Sequence, residues 1–195
     1  MTILRRGCLL LVVVLATGCA SSPAPRYYRL VAQAVPADAA EVPAVIIGPF
    51  QLAEYLARPQ IVSQAGANRV SVADYERWAE PLDANFQAVV TANVGRLLGS
   101  DRVLEFPAQP ILKAERRVSG RVVRFDVDAG GQAVLEVQWG IVDAAGAVLQ
   151  AGRVSRYTAP VDGSTTAAGV AALNATVTAF SADVAAALRA GPLAT

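Results

Sequence analysis

Between Arg117 and Tyr157 apolar side chains recur at every second position. Val123, Phe125 and Val127 alternate with Arg124 and Asp126, and Leu135, Val137, Trp139 and Ile141 alternate with Glu136 and Gln138. A period of two is that of a strand with one buried face. Asp128-Ala129-Gly130-Gly131 joins the first two runs, and Asp143-Ala144-Ala145-Gly146 joins the second to Val148–Tyr157. Short Gly-bearing turns between alternating runs predict an antiparallel meander. Two other stretches change to helical spacing. In the first, Leu82, Phe86, Val89, Val90, Val94 and Leu97 form one stripe. Pro81 stands at its start, where a missing N–H costs nothing, and Gly99-Ser100 ends it. The second stripe is Val170, Leu173, Val177, Phe180, Val184 and Leu188, with Ser164 or Thr165 as N-cap and Gly191-Pro192 as the stop.

The remaining elements are shorter. Tyr27–Val31 reads as a first strand, Ala34–Pro43 as a loop, and the β-branched run Val45-Ile46-Ile47 as a strand covered on both faces. Leu52–Arg58 predicts a short helical turn halted before Pro59. Gln60–Gln64 and Asn68–Val72 predict a hairpin around Gly66, and Val103–Phe106 a strand closed by Pro107. The expected fold is α/β: a single domain with a mixed, largely antiparallel sheet and two long amphipathic helices. Strands outnumber helices, which argues against a doubly wound parallel sheet.

The N-terminus belongs to no part of that domain. Arg5 and Arg6 precede an apolar run, Cys8–Ala16, that ends in Thr17-Gly18-Cys19. A basic start, a short apolar core and a small residue before the cut define a secretory signal. The run is too short for the ~20 residues that span a bilayer. Cysteine after the cut is the arrangement of a bacterial lipoprotein, in which that cysteine is lipidated and becomes the new N-terminus. Ala16, rather than the usual Leu, stands three residues before Cys19, with Leu15 one place earlier. The expected organisation is a signal peptide over 1–18, a lipidated N-terminus and tether over 19–26, and the folded domain over 27–190. Stable anchoring needs more than one acyl chain, palmitate for instance, and a mature lipoprotein cysteine carries several. Ala20 and Ser21 follow, with no Asp beside the cysteine. By analogy with enterobacterial sorting this favours the outer membrane over the inner, with the domain in the periplasm.

Composition removes several function classes. The chain of 195 residues has 17 basic and 16 acidic side chains, and losing Arg5 and Arg6 leaves 15 against 16. No basic excess points to nucleic acid. Loss of Cys8 and lipidation of Cys19 leave no thiol for a disulfide, and the absence of His removes His-based triads and most zinc sites. Glu76, Glu80 and Asp83 read as a solvated helix start. Asp126, Asp128 and Gly130-Gly131 lack the further acidic ligand of a calcium loop and read as a hairpin turn. No phosphate-binding motif is present, so no cofactor and no enzymatic activity are expected.

Two segments stand out: Glu54-Tyr55-Leu56-Ala57-Arg58-Pro59-Gln60-Ile61-Val62 and Asp74-Tyr75-Glu76-Arg77-Trp78-Ala79-Glu80-Pro81-Leu82. One reading is structural, with Arg58-Pro59 ending a turn and Trp78 stapling the following helix. The other is an interaction site of Tyr55, Leu56, Arg58, Pro59, Arg77, Trp78 and Pro81, with Tyr55, Arg58, Arg77 and Trp78 on loops, where aromatic and Arg side chains make binding hot spots. Both segments resemble the PqiC-like family, also called ABC-type transport auxiliary lipoproteins, which share Y-L-x-R-P-Q-I-V and R-W-A-E-P-L. The later R-F-D and L-x-x-x-W of that family are matched by Arg124-Phe125-Asp126 and by Leu135 to Trp139. The resemblance implies a non-enzymatic lipoprotein subunit of an MCE-type envelope lipid-transport system. Its partners would be a periplasmic MCE-domain protein and inner-membrane transporter components, its contribution outer-membrane integrity, and self-association into a ring is compatible with it. A membrane-anchored lipoprotein that binds a lipid or small ligand, in an apolar pocket between helix and sheet, is the alternative. A hydrolase using Ser and carboxylates has least in its favour.

Overall fold

The alternating segment folds as a three-stranded meander. In the computed structural model, which describes residues 22–38, 42–107 and 113–191, its strands are Arg116–Val127, Gln132–Asp143 and Val148–Pro160. They are β6, β7 and β8 of an eight-stranded sheet. Before them in the chain come β1 (Arg26–Tyr28), β2 (Val45–Leu52), a 3-10 turn (Glu54–Leu56), β3 (Gln60–Gly66), β4 (Arg69–Trp78) and β5 (Val103–Glu105). The two helices are α1 (Leu82–Leu98) and α2 (Thr166–Ala190). The signal, Cys19, the first tether residues and Pro192 lie outside the described residues.

Antiparallel pairing dominates the long ladders, β6 with β7 and β7 with β8, while the parallel pairings of β1 with β4 and of β2 with β5 are three residues long. At Gly120 on β6 a Cβ would strike the Gln138 carbonyl of β7, so only glycine permits that approach. The other edge of β6 is shared. β2 runs parallel to it as far as Leu52↔Val122, and β3 touches it only at Ser63↔Val127.

Both helices pack on this sheet, α1 over β2 and β5 and α2 over β6 to β8. Every residue of the second predicted stripe is buried, and of the first only Leu97 is partly exposed. Phe180 of α2 sits within 5.6–6.1 Å, centroid to centroid, of Phe50, Phe86, Trp139 and Tyr157. Edge-on and offset aromatic pairs at such spacing add about 0.5–1.5 kcal/mol each beyond their area burial. Although α2 is long and apolar enough to cross a bilayer, its apolar stripe is spent on this core. Thr165 caps it by accepting the Ala168 N–H at 3.2 Å.

Two expectations are corrected. The first strand ends at Tyr28 rather than Val31, because the chain leaves the sheet and crosses the helices as an irregular strap. A strap has no ladder for its amides, and side chains supply the partners. Asn85 accepts the Leu30 N–H at 2.6 Å and donates to the Leu30 carbonyl at 3.3 Å. Asn174 accepts from Val31 at 3.0 Å, and Asn93 accepts from Gln33 and Ala34 at 3.0 and 2.9 Å. Asn93 also reaches Ser181 on α2 at 3.5 Å, joining both helices to the strap. The second correction is in β6. A register shift between Val122 and Arg124 swaps the strand's faces, so Val122 and Phe125 are buried while Val123 is exposed.

Replacing Asn93 by Ala removes the acceptor for two strap amides at a fully buried site. The expected cost is about 1–3 kcal/mol in urea denaturation. Amide exchange at Gln33 and Ala34 should accelerate well beyond that at the centre of β7. An unchanged midpoint with unchanged exchange would remove Asn93 from this role.

Candidate functional site

The two distinctive segments meet at the base of the β3–β4 hairpin. The last bond of β2 to β6 is made by the Ala53 N–H to the Val122 carbonyl at 2.9 Å. The chain then lifts off in the 3-10 turn, closed by Leu56 N–H to Ala53 O at 2.9 Å and Ala57 N–H to Glu54 O at 3.0 Å. It re-enters the sheet as β3 opposite the end of β4. Gln60 pairs with Arg77, and the Trp78 N–H donates to Pro59 O at 2.7 Å. On the far side of β4, the Ala79 N–H donates to the Tyr28 carbonyl of β1 at 2.7 Å.

Between the segments lies an open groove of about 780 Å³. Leu52, Leu56, Trp78 and Leu82 give it apolar walls, and Gln51, Arg58, Pro59, Glu80, Pro81 and Asp83 line the rest. Leu56, Trp78 and Leu82 are buried in the domain, while Arg58, Pro59, Glu80, Pro81 and Asp83 are exposed. The groove offers an apolar strip flanked by one guanidinium and two carboxylates, beside the start of α1. Two prolines stiffen its rim. Pro81 occupies the residue just before the helix, and its carbonyl accepts the Asn85 N–H at 3.0 Å.

Of the residues marked out by sequence, Leu56, Arg58, Pro59, Trp78 and Pro81 line the groove together, and Tyr55 and Arg77 do not. Of the four residues expected on loops, Arg58 alone is in one. Arg77 and Trp78 are the last two residues of β4, and Tyr55 is in the 3-10 turn. Trp78 is only 6% exposed and stacks on Phe125 at 6.4 Å, so most of it belongs to the core. Arg77 is partly buried, and its Nε has no partner among the described residues.

Tyr55 has a different task. Its hydroxyl donates at 3.0 Å to Oδ2 of Asp126, which is fully buried, and Oδ1 of the same carboxylate accepts from Nε and Nη2 of Arg124 at 2.9 Å. A buried carboxylate needs such donors, because an unpaired charge in that environment is costly. The bond pins the turn whose next residues, Leu56 to Pro59, form one wall of the groove. Burial, reinforced by the Asp126 charge, pushes the Tyr55 phenol up from 10.0 to about 12. Asp126 was not among the residues singled out for the site. In the alternating pattern it reads as outward-facing, and only the adjacent apolar pair Val122-Val123 hints at the bulge that changes its surroundings.

The other carboxylates are also placed. Glu76 does not belong to the helix start but to β4, where it is buried opposite Arg26 of β1. Its Oε1 accepts from Arg26 Nη2, and Oε2 has no partner of ordinary geometry among the described residues. The neighbouring Tyr28 phenol and Arg26 guanidinium hold the carboxyl below its usual range. Asp128 closes the β6–β7 turn, its Oδ1 accepting the Gly130 and Gln132 N–H groups at 2.9 Å.

Fold and groove together define a small α/β scaffold that presents a recess beside its N-terminal strand. The chain belongs to the family of ABC-type transport auxiliary lipoprotein components, matched over residues 28–185. Membership of a lipoprotein family implies membrane anchoring, and an auxiliary role in transport points away from catalysis. The fold is shared with the crystal structure of an uncharacterized protein at 19% identity and a TM-score of 0.70, covering 84% of this chain and 98% of the other. It is shared as well with protein XCC0632 from Xanthomonas campestris at 18% identity and a TM-score of 0.69, covering 82% and 92%. No curated protein matches the chain in sequence.

The raised phenols have a measurable consequence. Tyr157, half-buried and bonded to Asp183 at 2.8 Å, is likewise pushed to about 12, first by burial. A folded-state value above the unfolded 10.0 contributes stability that is complete below pH 10 and disappears as pH rises towards 12. Urea midpoints at pH 9 and pH 11 should therefore differ, and Tyr55→Phe should narrow that difference. A difference of undiminished size would show that Tyr55 ionises freely in the folded protein.

Proposed function

We propose that this chain is the acyl-anchored, non-enzymatic subunit of an MCE-type envelope lipid-transport system. In this reading Cys19 carries the acyl chains at the outer membrane. The folded domain docks a periplasmic MCE assembly there through the groove at the base of the β3–β4 hairpin, and so supports outer-membrane integrity. The observation that carries the proposal is the convergence of two segments, some twenty residues apart in sequence, on one groove with apolar walls and a charged rim. A partner segment seated there would bury its apolar side chains against Leu56 and Trp78 and set its charges against Arg58, Glu80 and Asp83. Tethering favours such docking, since the anchor turns encounter with a membrane-spanning machine into a local event. Inner-membrane transporter components would complete the assembly, and several copies around one MCE ring are compatible with an open groove.

The ligand-binding alternative keeps a groove volume within the ~300–1,000 Å³ of small-molecule sites in its favour. Between helices and sheet, where its pocket is expected, Phe50, Phe86, Phe125, Phe180 and Trp139 fill the centre. A recess of about 340 Å³ remains there, between Val170 and Leu173 of α2 and Val62, Ala73 and Val127 of the sheet.

Cross-linking in intact envelopes followed by mass spectrometry of co-purified proteins tests the proposal, with Arg58→Glu as the variant. Arg58 is exposed, so reversing its charge leaves the fold in place. Trp78→Ala is unsuitable, because emptying a buried Trp site costs about 3–5 kcal/mol. Recovery of an MCE-domain protein that falls several-fold with Arg58→Glu is the expected result. Equal recovery would move the interface away from the groove. Recovery of no MCE protein, with normal expression, would replace the transport reading by the ligand-binding one.

A further inference from the structure

We propose that the outer side of β1 and β4, centred on Tyr27 and Tyr75, rests on the phospholipid surface that holds the Cys19 acyl chains. The inference builds on the anchor reading and adds an orientation to it. Arg26, where β1 begins, stands seven residues after Cys19. Even fully extended, that tether reaches about 25 Å. The domain is roughly 40 Å across for its length. The leash is thus shorter than the body it holds, and the end of the domain that carries β1 faces the bilayer. Pro23 and Pro25 make the tether a semi-rigid spacer rather than a loose coil.

What stands at that end suits a lipid interface. Of the nine large apolar or aromatic side chains left exposed among the described residues, four lie on β1 and β4: Tyr27, Val70, Val72 and Tyr75. Tyr27 is 60% exposed and Tyr75 is 39% exposed. In the parallel β1–β4 ladder Tyr27 is level with Arg77. Tyr75 lies two residues before Arg77, so both rings project from the same side of the sheet. A register shift in the β3–β4 ladder, where Gln60 pairs with Arg77 but Val62 with Val72, brings Val70 and Val72 to that same side, and they extend the strip along β4. β1 covers β4 only at Glu76–Trp78, and the prolines of the tether cannot donate hydrogen bonds that would extend the pairing over Arg69–Tyr75. Tyr is enriched where membrane meets water, its ring apolar and its hydroxyl wet. Exposed Arg69 beside the strip adds a charge complementary to anionic headgroups. The exposed Val148 and Val154 are on β8, at the opposite end of the strand order from β1.

The test uses the full lipidated protein in vesicles of phosphatidylethanolamine and phosphatidylglycerol. With Cys19 acylated the mature chain has no other thiol, so Asp74→Cys or Ala145→Cys takes a single spin label. Asp74 is exposed on β4, and Ala145 is exposed in the β7–β8 turn. Power saturation against oxygen and a water-soluble nickel chelate reads label depth. The label at position 74 should lie within about 5–10 Å of the headgroup boundary, the depth of interfacial elements. The label at 145 should report bulk water. Adding Tyr27→Ser with Tyr75→Ser should move the label at 74 to the aqueous value while vesicle flotation and the circular dichroism spectrum stay unchanged. A label at 74 as accessible to nickel as that at 145, on protein that floats, overturns the proposal and leaves the anchor standing. Protein that does not float overturns the anchor reading and the proposal with it.

Discussion

The architecture turns on a single strand edge that two strands divide between them. β2 follows β6 to Val122, and β3 reaches it again only at Val127. Backbone groups along a buried edge must be satisfied, so the interval cannot stay open. The 3-10 turn lies over it, with the Ala53 N–H on the Val122 carbonyl at its start and the Tyr55 hydroxyl on the Asp126 carboxylate. Everything distinctive about the surface follows from how that gap is closed. The turn displaces Leu56–Pro59 from the plane of the sheet, the register shift near Val123 accommodates it, and the groove is the hollow left between the displaced turn and the entrance to α1. The motif residues therefore split into two jobs. Tyr55, Arg124 and Asp126 hold the gap shut, while Arg58, Pro59 and Pro81 face what it creates.

The meander and both helices were legible because each is governed by a period that local sequence states directly. Alternation with Asp-Gly-type turns located β6 to β8, and the six-residue stripes located the buried faces of α1 and α2. Where reading failed, a long-range contact decided the outcome. β4 runs on through Asp74–Trp78, a stretch without clear alternation, because β1 and β3 both pair with it there. Tyr28 ends its strand because Asn85, Asn93 and Asn174 capture the chain that follows. Those asparagines sit inside otherwise apolar helix faces, and a stripe count passes over them. The groove was half legible: five of the seven residues marked by sequence line it, but Tyr55 and Arg77 do not.

The strap explains why helices in a small domain carry three buried asparagines. An Asn side chain holds one donor group and one acceptor, the same pair that a neighbouring strand would offer. Asn85 uses both on Leu30, reproducing on a helix what a ladder does on a sheet. In apolar surroundings each such bond is strong once made and costly when broken. The strap is the first segment after β1, so load applied at the N-terminus meets two fastenings in series, the β1–β4 pairing and then the asparagine clasps. A lipid-tethered domain whose N-terminal segment frayed would lengthen its own leash and lose any fixed orientation.

Anchor and groove are also mechanically adjacent. β1 is three residues long, and its last carbonyl, on Tyr28, accepts the Ala79 N–H in the stretch that lines the groove. At ~3.3 Å per residue the groove begins about 10 Å from where the tether enters the sheet. On the proposed anchoring and docking, a partner seated in it would be presented near the bilayer and could not be carried far by domain rotation. Tether length, strand length and strap would then act together as one constraint on the height of the groove above the membrane. Lengthening the tether relaxes that height without altering a single contact in the groove. If docking depends on groove chemistry alone, a tether extended by a flexible insert after Pro25 binds its partner as the parent does. If height matters, as the short leash and fastened strap argue, the same insert weakens capture while the isolated contact chemistry is intact.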